Sequence, residues 1–384
     1  MYVSFLRTIS TPRLAAVCAS ACALAAGGTA IALAGGDGPK PPPKPLAAAV
    51  HDGLAAPEVQ GITARVKFTN HLVDSSGIQG SNPLLSGASG RLWLSPGHGL
   101  RLELQSDNGD AQIVGNDKGF FVYDGTSNTV YRGDAPKGRH AGRRHAERNH
   151  RVPSVARIQR GLDRARKHKL DISGPVPGNI AGQPAYTIRV APGRPGGLLG
   201  AVELAWDAAH GLPLRVAVYA RGNSDPVLEL VATDISYGPV DTSTFAVQPP
   251  SDAHVVDLSM RGDKHSGRGK HPGRKLPFQV SAPDTLAGRK LAGVKRRGGV
   301  ALIRYGKDLD GLLVVEKAAK PQQQAQQQHR RGRIELPTAD INGATAKVID
   351  TPLGSVVTFE RGGVSYTVLG SVPAEVTKAA ARGL

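Results

Sequence analysis

From Val202 to Ser251 the chain reads as an antiparallel β-meander. Val202, Leu204 and Trp206 alternate with Glu203, Ala205 and Asp207, and His210-Gly211-Leu212-Pro213 turns the chain. Leu214, Val216 and Val218 alternate with Arg215, Ala217 and Tyr219. A second polar turn, Arg221 to Pro226, leads into Leu228, Leu230 and Ala232. Period-2 alternation gives each strand one apolar face and one wetter face. Such a sheet must cover its apolar face with a second sheet, with helices or with a ligand.

The same pattern runs upstream. Ile62, Ala64, Val66 and Phe68 alternate with Thr63, Arg65, Lys67 and Thr69. Short strands are expected at 90–94, 100–105, 111–115, 120–123 and 129–132, punctuated by Asn108-Gly109 and Asp124-Gly125. Residues 184–190 add another strand, and 71–90 read as a long mobile loop. Two helices are expected: Leu46 to Leu54 after Pro45, and Val155 to about Lys169 behind a Ser154 cap. Val155, Ile158, Leu162 and Ala165 form the apolar stripe of the second.

A strand ending in Trp206-Asp207, the Gly211-Leu212-Pro213 turn, Asp234-Ile235, Val240-Asp241, Phe245 and Pro249-Pro250 follow one another in an order that resembles the LolA-type fold. Outer-membrane lipoprotein carriers and RseB/MucB-type regulators of envelope-stress sigma factors share that fold. The resemblance covers roughly 45–252. It implies an α+β fold: a curved antiparallel sheet, a half-open barrel, lidded by helices. It also implies a hollow that receives acyl chains. The inward candidates are Val66, Phe68, Leu92, Leu94, Leu102, Leu104, Ile113, Phe121, Leu204, Trp206, Val216 and Val218. The competing reading is that these residues are ordinary core.

A second unit is expected from 276 to 384, small and β-rich. Its strands are 300–305, 312–315, 344–349, 356–360 and 364–369, and a helix from Ala374 to Ala381 closes it. Its final stretch resembles the C-terminal domain of RseB/MucB-like proteins. A low-complexity insertion at 318–333 interrupts it, and a basic linker at 253–275 precedes it.

At the other end, Arg7 and Arg13 precede an apolar run from Leu14 to Ala34, followed by a Pro-rich spacer at 35–45. Ala32-Leu33-Ala34 fits a cleavage site, yet the run is as long as a bilayer-spanning helix. Residues 1–34 are therefore a cleaved signal peptide or an uncleaved anchor, and either places the body outside the cytoplasm. Both cysteines, Cys18 and Cys22, lie in this run, so no disulfide holds the body together.

The chemistry expected is binding. No nucleophile elbow, zinc-helix motif or phosphate loop is present, and no cofactor is expected. His140, His145 and His150 recur at every fifth position, which aligns them on no helix face. Asp207 and Asp234 read as turn and edge polarity. The net charge of +17 is concentrated in basic runs that carry Arg143, Arg144, Arg148, Arg151, Arg164, Arg166 and Lys167. Without aromatic residues among them these runs do not fit nucleic acid; an anionic membrane surface or a solvated surface fits. The expected function is an extracytoplasmic, non-enzymatic lipid or lipoprotein acyl-chain binding protein, carrier or sensor. The alternative, implied by the resemblance, is a regulator that binds a membrane anti-sigma factor.

Overall fold

The computed structural model describes residues 38–72, 83–107, 109–117, 119–134, 152–194, 196–257, 276–319 and 336–384. The N-terminal run, both cysteines, the 320–333 part of the insertion, most of the basic linker and the 137–151 basic run lie outside these residues. So do His140, His145, His150, Arg143, Arg144, Arg148 and Arg151.

The first sheet has 12 strands. They are β1 (Ile62–Asn70), β2 (Ala88–Ser95), β3 (Gly99–Ser106), β4 (Gly109–Asn116), β5 (Gly119–Asp124), β6 (Thr129–Asp134), β7 (Leu170–Ile180), β8 (Gln183–Pro192), β9 (Leu199–Asp207), β10 (Pro213–Ala220), β11 (Pro226–Tyr237) and β12 (His254–Asp257). The spatial order is β12-β6-β5-β4-β3-β2-β1-β11-β10-β9-β8-β7. Two meanders, β1–β6 and β7–β11, thus run outward from a central β1–β11 seam. Every pairing is antiparallel except β12 with β6.

The sheet curls into a half-barrel. Gly90 marks where the curl is tight: a Cβ there would lie 1.8 Å from the Glu103 carbonyl oxygen. Only glycine allows β3 so close.

Helix α1 (Leu46–Ala55) and helix α3 (Val155–Lys167) lie on one face, and the short α2 (Pro83–Ser86) sits near the β1 end. The Ser154 hydroxyl accepts from the Arg157 amide at 3.4 Å, capping α3 as expected. Leu46 and Ala49 of α1 and Leu162 of α3 pack with Tyr186, Leu204 and Trp206. His51 Nδ1 meets the Pro153 carbonyl at 3.0 Å and ties the two helices together.

The second sheet has eight strands: β13 (Thr285–Leu286), β14 (Arg289–Arg297), β15 (Val300–Tyr305), β16 (Leu312–Ala318), β17 (Thr338–Ile341), β18 (Ala344–Thr351), β19 (Gly354–Arg361) and β20 (Val364–Gly370). Helix α4 (Ala374–Arg382) closes one face with Ala374, Ala380 and Ala381 buried. That core includes Ile303, Val314, Ile341, Val357 and Val368, none of them exposed to solvent. Each such side chain contributes about 1.5–3 kcal/mol by burial.

The two sheets meet at a narrow contact. The Leu198 amide donates to the Ser371 carbonyl at 2.7 Å, and the Leu198 and Leu199 amides reach the Ser371 hydroxyl at 3.1 and 3.2 Å. Gly197, at φ +72°, lies against Leu309 and Ser371.

Several elements differ from the sequence expectation. β12 takes up Val255 and Val256, within the stretch read as linker. β14 occupies a run read only as basic, and β7 one not read as a strand. Part of the 71–90 loop is helical at 83–86 and then enters β2.

Candidate functional site

Strand register carries the helix-bearing face across the whole half-barrel. Starting from Leu204, the partners are Val216, Leu230, Phe68 and Ala88. A neighbouring row runs Ala64, Leu92, Leu102, Ile113, Val122 and Tyr131. Another runs Ile62, Leu94, Leu100, Gly115, Phe120 and Gly133. The face is apolar over nearly its full width because each strand keeps its phase.

The helices cover it unequally. Over β8 and β9, Tyr186, Leu204 and Trp206 are buried beneath α1 and α3. Over β2–β6, Leu92, Leu94, Leu102, Ile113 and Val122 are only half-buried. At the outer lip Phe120 is 44% exposed and Tyr131 36%. The result is an apolar trough. The row from Ala64 to Tyr131 crosses five inter-strand gaps, about 24 Å.

The candidates separate into three groups. Val66, Leu104, Leu204 and Trp206 are buried core. Phe68, Leu92, Leu94, Leu102, Ile113, Val216 and Val218 are half-buried on the helix-bearing face. Phe121 is a correction. Ile113 pairs with Val122, and Phe121 pairs with Val114, so Phe121 points to the opposite face. Phe120-Phe121-Val122-Tyr123 is apolar or aromatic at every position, so alternation could not set its phase. The residues that sequence reasoning missed, Phe120, Val122 and Tyr131, follow once that phase is known.

The end of β9 is built around Asp207. It is fully buried and accepts from the Ala209 and His210 amides at 2.7 and 2.8 Å. The Tyr237 hydroxyl donates to it at 2.5 Å, and the His210 ring lies 3.9 Å from the Tyr237 ring, centre to centre. Burial pushes the Asp207 carboxyl up, and the bonds from Tyr237, His210 and Ala209 more than offset this and hold it below its ordinary value. Burial, with Asp207 beside it, pushes the Tyr237 phenol well above its ordinary range. Asp234 is exposed on β11, opposite Arg65. The arrangement anchors the turn that α1 rests on.

The opposite face carries a buried charged network. Glu203 accepts from Arg189 at 2.8 Å, from Arg215 at 2.7 Å and from the Tyr219 hydroxyl at 2.8 Å. Arg215 also reaches Glu229 at 2.6 Å, and the Arg189 guanidinium stacks 4.6 Å over the Tyr219 ring. Burial raises the Glu203 carboxyl, and the donors from Arg215, Arg189 and Tyr219 bring it below its usual value.

Of the basic residues within the described regions, Arg164, Arg166 and Lys167 are exposed on α3. Arg166 turns back toward Asp163 and the Ile172 carbonyl. Among the described residues no group of three or more His, Cys, Asp or Glu could hold a metal ion, and no helix is long and apolar enough to cross a membrane.

No protein-family model and no curated protein matches the chain. Solved structures similar to it include MucB in complex with the periplasmic part of MucA, at 14% identity and a TM-score of 0.37 over 87% of this chain and 94% of that one. An uncharacterized conserved protein from Thermus thermophilus aligns at 15% identity and a TM-score of 0.31, covering 55% of this chain and 95% of the other. A putative outer membrane lipoprotein-sorting protein domain from Vibrio parahaemolyticus aligns at 13% identity and a TM-score of 0.23, covering 52% and 95%. At these TM-scores none of them bears on function.

Proposed function

We propose that the chain is an extracytoplasmic, non-enzymatic binding protein whose trough receives the acyl chains of a lipid or lipoprotein. The observation that carries the reading is the unequal cover: α1 and α3 bury Tyr186, Leu204 and Trp206 on β8 and β9, while β2–β6 keep a half-covered aliphatic floor with Phe120 and Tyr131 at its lip. Each acyl CH₂ taken from water contributes about 0.8 kcal/mol. A long chain seated there is held by burial alone. Titrating the purified protein with a fluorescent long-chain fatty acid tests it. Saturable binding that competes with unlabelled fatty acid supports the reading, and its absence refutes it.

The alternative, a regulator that binds a membrane anti-sigma factor, is supported by the second sheet. On the face away from α4, Leu313, Leu369, Val356 and Ile349 stand directly opposed across four strands, with Arg304 at the end of the row. Leu302 pairs with Val315 beside them. Leu302 is 36% and Ile349 38% exposed, which suits a protein partner's apolar segment. Co-purification of a defined anti-sigma periplasmic segment, lost on Ile349→Glu, tests this.

A further inference from the structure

The second unit closes over a carboxyl group that no cation balances. Glu316, on β16, has no exposed surface and stands between Ala301 of β15 and Tyr366 of β20. An ionised carboxylate has about four acceptor sites. Glu316 receives one N–H, the Ser281 amide, shared between its two oxygens at 3.1 and 3.2 Å. The Tyr305 hydroxyl, buried on β15, has no partner among the described residues.

The Ser281 amide belongs to a strap. Residues 276–283 form neither helix nor strand, and Leu276, Phe278, Val280 and Ala282 lie half-buried on the second core, with Pro277 and Gln279 exposed. Among the described residues the strap backbone makes one hydrogen bond to the rest of the protein, the one from Ser281 to Glu316. The Ser281 hydroxyl donates to the Leu384 backbone oxygen at 3.2 Å, which ties the strap to the chain beyond α4. A segment with so few bonds opens more readily than the strands beneath it.

No group around Glu316 offsets a negative charge there. The strap itself carries no ionisable side chain. Burial, with Glu316 beside them, pushes both phenols up, Tyr305 to about 12 with Asp284 adding to it, so both are neutral. Arg361 stacks 5.9 Å over the Tyr366 ring and opposes the rise at Tyr366. On α4, Lys378 pairs with Glu375 at 2.9 Å and Arg382 is exposed. Burial therefore lifts the Glu316 carboxyl above its ordinary 4.5, with the Ser281 amide opposing.

We propose that Glu316 and the 276–283 strap form a pH-governed catch, closed over the protonated carboxyl and released ahead of the sheet once the proton leaves. Release lets water reach the carboxylate, which burial otherwise leaves poorly solvated. The closed state is favoured below the ordinary value and loses that advantage as pH rises through the folded one. The inference holds whether or not the trough takes acyl chains.

Hydrogen–deuterium exchange of the full chain, read by mass spectrometry between about pH 4 and about pH 8 and corrected for the intrinsic rate, tests it. The opening constant of the 278–282 amides is expected to rise severalfold across that range, while β15 and β20 keep their protection. Glu316→Gln keeps an oxygen for the Ser281 amide and cannot ionise, so its strap exchange is expected to be flat with pH. Flat strap exchange in the wild type would overturn the proposal. So would a rise shared equally by β15 and β20, which would mean that the whole unit unfolds. These two outcomes need only the wild-type chain, so they stand even if the variant folds poorly. A variant that folds and keeps the wild-type pH dependence would assign the effect to another group and also overturn it.

Discussion

Gly211 and Gly53 meet backbone to backbone: a Cβ on Gly211 would lie 1.9 Å from the Gly53 carbonyl oxygen, and Gly211 sits at φ +67°. The turn after β9 is thus the seat on which α1 rests, and Gly53 in turn lies against the Trp206 indole. Gly211→Ala brings both left-handed strain and a clash. It is expected to destabilise the first sheet by about 2–4 kcal/mol. The α1 helix should lift, and Trp206 emission should shift to the red. Urea denaturation followed by tryptophan fluorescence checks both effects.

Glu203 is the hub of the network on the opposite face. Glu203→Gln leaves Arg189 buried without its carboxylate partner and Arg215 with Glu229 alone, and is expected to cost roughly 3–5 kcal/mol. The pH dependence has a definite sign. The folded Glu203 carboxyl is held below its ordinary 4.5, so its contribution is present above that value and is lost as pH falls through the folded value. Denaturation midpoints across an acid series should show a decline in the wild type that is shallower in the variant.

Glu316 has the opposite sign. It is fully buried in the second core, and among the described residues only the Ser281 amide donates to it, at 3.1 and 3.2 Å. Burial pushes its carboxyl up, with the Ser281 amide opposing. The protonated form is therefore favoured in the folded state. Its contribution is full below 4.5 and lost as pH rises through the folded value. Glu316→Gln should match the wild type in acid and exceed it at neutral and higher pH, by about 1 kcal/mol or more. Thermal melts at acid and alkaline pH check this.

Phe120 and Phe121 are adjacent in sequence and face opposite ways. Phe120→Glu places a charge at the trough lip and is expected to weaken binding of a long-chain acyl probe about tenfold or more. Phe121→Glu is expected to change it less than about twofold. Equal losses would mean that the trough is not where the probe sits.

Alternation made much of the first sheet legible: the phases of β1, β9 and β10 were readable because Ile62 to Phe68, Val202 to Trp206 and Leu214 to Val218 alternate cleanly. β7 was not legible, because Leu170 to Ile180 carries two glycines and two prolines, which read as breakers. β14 was hidden by its charge, since Arg289 to Arg297 is an edge-side strand with Lys295 and Arg296 exposed. At the site, the apolar floor could be read residue by residue, but the open part could not. Openness depends on where α1 and α3 come to rest, which the Gly53–Gly211 contact and the His51–Pro153 bond decide, and both join residues far apart in sequence. The Glu203 network was invisible for the same reason: its members lie on four strands and look like ordinary wet-face residues one at a time.

The most direct test of the trough is native mass spectrometry of the protein purified from an envelope-localised expression. The account predicts added mass of lipid size that leaves on organic extraction and returns when a long-chain lipid is supplied. A mass equal to the bare chain, with supplied lipid also refused, would contradict it and mean that side chains fill the half-barrel.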